Sequence, residues 1–154
     1  MKINKKIIIK WLLVIIWMII IFIFSNMNGD ASNVVSEGLI SKLLKFFVKL
    51  FNNNISNIEM NRLIEIFHVP IRKLAHITEY FILAILVFNA LSEYKLKNIF
   101  IISLIICFIY ACSDELHQLF INERAGSLID ILIDIFGSFI GLLLIKLKKL
   151  IKTT

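Results

Sequence analysis

The segment YACSDELHQLFINERAGSLIDILIDIFGSFIG, Tyr110–Gly141, decides the fold class. Five carboxylates (Asp114, Glu115, Glu123, Asp130 and Asp134), Arg124 and His117 sit here between apolar runs of membrane type. A charge facing lipid costs roughly 2.5–3.5 kcal/mol at mid-membrane even on the lenient scale, so these groups must turn towards other helices. The segment therefore predicts a hairpin of two membrane helices inside a bundle.

Composition agrees on either side of it. The 154 residues are 59% hydrophobic and 18% charged, far from the soluble average. The chain is predicted to be all-α: an integral membrane bundle of four transmembrane helices, with an amphipathic helix in the first outer loop. One domain, residues 1–154, is expected, because no internal repeat or linker-like stretch divides it. The spans read as about 7–24, 74–91, 99–117 and 128–145, with an outer segment over 25–71. The first follows Lys2, Lys5 and Lys6, but its apolar run is too long for a signal peptide and no A-x-A-like cleavage site follows, so it reads as an uncleaved span. Cys107 and Cys112 point to different sides of one helix and read as small core residues.

With the N-terminus inside, ten of the 17 Lys and Arg residues fall on the cytoplasmic side, close to the helix ends, against seven outside. That bias predicts a cell-membrane protein with both termini cytoplasmic. The net charge of +6 then serves to anchor the inner leaflet, and a nucleic-acid partner is not expected. In the outer segment, Lys42, Lys45 and Lys49 share one face of a helix over Leu39–Phe51, and Leu39, Leu43, Phe46, Phe47, Leu50 and Phe51 cover much of the rest. Such a helix is expected to lie flat on the outer leaflet as a lid.

Counting about 1.5 Å per residue from the cytoplasmic ends places the polar groups of three helices at one depth, in the outer half of the membrane. At 100° per residue, Arg72, Lys73, His76, Glu79 and Tyr80 share one arc of the second span. Asp114, His117 and Gln118 lie on a stripe of the third, with Glu115 on its shoulder. Ser127, Asp130, Asp134, Gly137 and Gly141 align on the fourth. These residues, with Arg124 in the outer turn, are the candidate binding pocket. Gly137 and Gly141 form a G-x-x-x-G step for close helix packing. Ion pairs of Arg72, Lys73 and Arg124 with the carboxylates are expected.

RKLAHITEYFIL (Arg72–Leu83), followed by the Tyr110–Gly141 hairpin, resembles the VanZ-like family of small bacterial membrane proteins. The matching elements are R-K-x-x-H-x-x-x-Y on one helix and D-E-x-H-Q-x-F…R-x-x-S-x-x-D-x-x-x-D-x-x-G-x-x-x-G on the hairpin; FSNMNGDAS after the first span resembles the family's serine-containing turn. One departure is Asn122-Glu123, where the family usually has Pro-Gly before the arginine. The resemblance implies an association with teicoplanin resistance and no settled biochemical activity.

Three function classes follow. The first is a pocket that recognises an envelope component, a membrane lipid or lipid-linked wall precursor, with Arg72, Lys73 and Arg124 on its anionic groups. The second is a membrane-embedded enzyme acting on such a lipid, with His76 or His117 as acid/base. Its best support is D-E-x-H, where Asp114 and His117 could share a metal with Asp130 or Asp134. The third is structural, with charge pairs fixing the register of the bundle or of a homo-oligomer. Without H-E-x-x-H, G-x-S-x-G or a Cys/His ligand set, no cofactor and no metal are expected, and no catalytic residue is assigned.

Overall fold

The computed structural model describes residues 5–51, 56–124 and 126–153, apart from the side chains of residues 149, 152 and 153. Five helices follow in order: α1 (Lys5–Ser25), α2 (Gly29–Leu50), α3 (Asn57–Leu91), α4 (Ile99–Gln118) and α5 (Leu128–Thr153). Among the described residues there is no strand. Four of the helices are long and apolar enough to cross a membrane: α1, α3, α4 and the Leu128–Lys148 part of α5. The expected four-span, all-α bundle is therefore present.

α3 lies at the centre, packed on each of the other four helices. It supplies Tyr80, Leu83, Ala84, Val87, Phe88, Ala90 and Leu91 to the core, against Val14 and Ile21 of α1, Cys107 and Ala111 of α4, and Leu142 of α5. In lipid the cohesion of such a core comes from van der Waals packing, which rewards small residues and close backbones. The G-x-x-x-G step does this directly: a Cβ on Gly137 would stand 2.4 Å from the Ile77 carbonyl oxygen, and one on Gly141 2.6 Å from that of Phe81. Leucines, isoleucines and phenylalanines such as Leu12, Ile16, Ile105, Leu132 and Phe136 point outward, a liability in water and the expected surface in lipid.

One end of the bundle joins the start of α1, the loop after α3 and the end of α5. Lys10 donates to the Asn89 carbonyl (2.9 Å) and pairs with Glu93, which Lys6 also reaches at 3.0 Å. The Lys10 and Lys6 hydrogen bonds hold the Glu93 carboxyl below its ordinary range. Trp11 donates to the Tyr94 hydroxyl (3.1 Å). At the opposite end the α1–α2 turn meets the α4–α5 turn.

Two expectations need correction. The helix that carries the second span begins at Asn57, well before Leu74, and continues through Pro70. Its start is a capping box: the Ser56 hydroxyl accepts from the Glu59 amide (3.3 Å) while Glu59 accepts from the Ser56 amide (3.1 Å). At 35 residues the helix is about 52 Å long against a hydrocarbon core of about 30 Å, so part of it extends past the core unless strongly tilted. The amphipathic helix is likewise longer than Leu39–Phe51. It spans Gly29–Leu50, capped by Asn28, and pairs with the extended α3, burying Ser36 and Ile40. Lys42, Lys45 and Lys49 remain exposed, as do Leu39, Leu43, Phe46, Phe47 and Leu50.

Candidate functional site

The middle of α3 carries Arg72, His76, Glu79 and Tyr80 on one face, towards the polar ends of α4 and α5. His76 Nδ1 lies 3.2 Å from Asp134 Oδ1, across the α3–α5 contact that Gly137 allows. Asp134 is fully buried, and its second oxygen, Oδ2, has no hydrogen-bond partner. Tyr80, one turn along the same face of α3 from His76, is also fully buried with its hydroxyl unpartnered.

On α4, Asp114, Glu115 and Gln118 are all buried and joined to one another. The Gln118 amide donates to Asp114 Oδ2 (3.3 Å) and Glu115 Oε1 (3.1 Å). Glu115 Oε2 accepts from the Ser127 backbone amide (2.8 Å), which ties the end of α4 to the start of α5. The turn between them folds back closely enough that a Cβ on Gly126 would stand 2.4 Å from the Glu115 carbonyl oxygen.

Arg124 is held by that turn. Its Nη1 donates to Gln118 Oε1 (3.1 Å) and its Nη2 to the Phe24 carbonyl (3.2 Å), while Nε has no partner. Burial first, and the like charge of Arg72 second, lower its proton affinity, opposed by Asp114, Glu115 and Glu79; an arginine nonetheless stays charged in a protein. Glu123, immediately before it, has φ 61°, the left-handed conformation that favours glycine. That is the position where the resemblance leads one to expect Gly, so the turn keeps its shape at some strain. The Asn122 carbonyl and the Glu123 carboxylate accept from the amides of Gly29 (3.3 Å) and Asp30 (3.4 Å), tying the start of α2 to this turn.

These elements enclose a cavity of about 240 Å³. Phe24, Met27, Val35, Leu39, Ile71 and Ala75 form an apolar wall; Arg72, His76, Glu79, Asp114 and Arg124 form a polar floor, with Ser25, Ser32 and Ser36 beside them. The pocket thus takes one wall from α2, whose N-terminal half the sequence pattern had not connected with the polar stripes. The FSNMNGDAS turn was the available signal, since it supplies the Phe24 carbonyl, Ser25 and the Asn28 cap.

Several expected members lie elsewhere. His117 turns towards α1, its Nε2 3.2 Å from Asn26 Oδ1 and its ring 4.8 Å from that of Phe22, so Asp114 and His117 do not converge as metal ligands. Lys73 is exposed and does not line the cavity. Among the described residues no salt bridge joins Arg72, Lys73 or Arg124 to a carboxylate, contrary to the expected pairing, because Gln118 and a main-chain carbonyl take the Arg124 donors. Asp130 is half-buried. The Ser127 hydroxyl accepts from the Ile129 amide (3.2 Å) at the start of α5. The group of potential metal ligands that does converge is His76, Glu115 and Asp134, with one ligand atom of each within 4.8 Å of the others.

Fold and site define a helical membrane protein with a polar-floored pocket at one end of its bundle. The VanZ/LLP1 family model matches residues 10–149, and the chain belongs to that family. No curated protein and no solved structure matches it.

Proposed function

We propose that this chain is a cell-membrane protein with both termini cytoplasmic, whose outward-facing pocket recognises the anionic head of an envelope lipid, either a lipid-linked wall precursor or a phospholipid. The two-part lining of the cavity carries the reading. A lipid phosphate leaving the headgroup layer needs cations in a partly dehydrated site, and guanidinium forks suit its oxygens. Arg72 and Arg124 both line the floor, and neither is neutralised by a direct ion pair among the described residues. The first carbons of the lipid tail need an apolar wall, which Phe24, Val35, Leu39 and Ile71 offer. Glu79 and Asp114 on the same lining are acceptors for sugar hydroxyls or peptide amides.

Through this recognition the protein modulates susceptibility to glycopeptides of the teicoplanin type. The test compares Arg124→Ala in the pocket with Lys42→Ala on exposed α2, at matched expression. Arg124→Ala is expected to abolish the change in susceptibility and Lys42→Ala to preserve it; equal effects would remove the reason for placing function in the pocket.

The His76–Asp134 pair favours one second reading, chemistry on the same lipid, because a histidine oriented by a carboxylate at a cavity floor is the arrangement of a general base. Turnover of a lipid-linked phosphate by purified protein, lost in His76→Gln, distinguishes it from recognition alone.

A further inference from the structure

We propose that His76, Glu115 and Asp134 form a binding site for one divalent transition-metal ion of the zinc type. This goes beyond lipid recognition and stands or falls separately from it. It also departs from the sequence, in which D-E-x-H offered the only metal pattern and no metal was expected.

Three observations carry it. The first is convergence: one imidazole nitrogen and two carboxylates from three helices offer ligand atoms within 4.8 Å of one another. Tetrahedral zinc with bonds of about 2.0–2.2 Å holds its ligand atoms roughly 3.3–3.6 Å apart, so side-chain rotations must draw the set in by about 1 Å. A mixed nitrogen and oxygen donor set suits borderline divalent ions. The second is the state of the ligands. Asp134 is fully buried with Oδ2 unpartnered, an arrangement that costs free energy unless something occupies that oxygen. Glu115 is held in place by the Ser127 amide and the Gln118 side chain, the kind of outer support that orients a metal-binding carboxylate.

The third observation is charge. Glu79, Asp114, Glu115 and Asp134 stand against Arg72 and Arg124, with Asp130 half-buried nearby. With His76 neutral, as ligation requires, the two ligand carboxylates of Glu115 and Asp134 bring two negative charges that no guanidinium among the described residues pairs with directly. One divalent cation cancels those two charges in a setting where uncompensated charge is costly. Binding releases to solvent the proton between His76 Nδ1 and Asp134 Oδ1, which frees His76 to ligate, and gives Asp134 Oδ2 the partner it lacks.

Full-length protein in detergent, stripped with EDTA and re-equilibrated with Zn2+ against a competing chelator, tests the site by elemental analysis after desalting. One zinc per chain is expected. His76→Gln, Glu115→Gln and Asp134→Asn should each weaken binding at least about tenfold, the lower bound seen for loss of even an outer-shell partner. His117→Gln should leave it unchanged. Glu115→Gln keeps an acceptor for the Ser127 amide, and its melting curve separates loss of ligation from loss of fold. Absence of stoichiometric zinc would overturn the proposal and leave protons to neutralise the cluster. Binding that survives Glu115→Gln in folded protein, or that falls equally in His117→Gln, would overturn it as well.

Discussion

Gly137→Ala adds one methyl group at the tightest point of the α3–α5 contact. The new Cβ would stand 2.4 Å from the Ile77 carbonyl oxygen and 2.9 Å from its Cα, where ordinary contact begins at 3.4 Å. Backbone atoms cannot rotate away, so the helices must part by about 1 Å. Ile77 follows His76, and Asp134 lies one turn before Gly137, so the same displacement stretches the 3.2 Å His76–Asp134 contact to roughly 4 Å, outside hydrogen-bond range. Overpacking of this kind costs about 1–3 kcal/mol, offset in part by the helix propensity of alanine over glycine, about 1 kcal/mol.

Gly38→Ala in α2 isolates the two contributions, because nothing lies within 4 Å of its Cβ position. It should gain the propensity without the clash, so the two variants differ by the packing cost alone. Thermal unfolding of full-length protein in detergent should show Gly38→Ala at or above wild type and Gly137→Ala at least about 2 °C below Gly38→Ala, taking roughly 2–4 °C per kcal/mol for a chain of this size. A Gly137→Ala protein that melts with Gly38→Ala would refute the close approach of α5 to α3, and with it the geometry of the His76–Asp134 contact.

Glu123→Gly should raise stability by up to about 1 kcal/mol by relieving the left-handed backbone, as a higher melting temperature; a drop of similar size would mean that the carboxylate's bond to the Asp30 amide outweighs the strain. Cysteine placed at Ser56 should react with an impermeant thiol reagent added outside intact cells, and cysteine at Lys95 only after the membrane is opened. The reverse pattern would invert the proposed topology.

The spans were legible because the length of an apolar run is a one-dimensional signal. The hairpin was legible because 100° per residue aligns Asp130, Asp134, Gly137 and Gly141 on one face of α5. Periodicity does not specify which neighbour each edge of a stripe meets. Asp114 and Glu115 turn towards the cavity and α5, while His117 lies on the flank of α4 that meets α1 and so leaves the cluster. Lys73 and Arg72 are 100° apart, and only Arg72 reaches the floor. The extension of α3 was hidden by Pro70, which ordinarily marks a helix boundary; the capping box at Ser56-Asn57-Ile58-Glu59 was the countersignal. The pocket wall from α2 was not legible because it depends on the α2–α3 pairing that follows from that extension.

In the proposed function Arg72 and Arg124 hold a lipid phosphate on the pocket floor. Native mass spectrometry of the full-length protein with a polyprenyl monophosphate, and with the uncharged polyprenol of the same length, tests it directly. One phosphate-bearing lipid per chain is predicted, preferred over the alcohol and unaffected by Lys42→Ala. Arg72→Ala and Arg124→Ala should each weaken it about tenfold or more, as expected for a charge-assisted hydrogen bond of about 1.5–3 kcal/mol. Equal binding of alcohol and phosphate, or wild-type affinity in both arginine variants, would contradict the account.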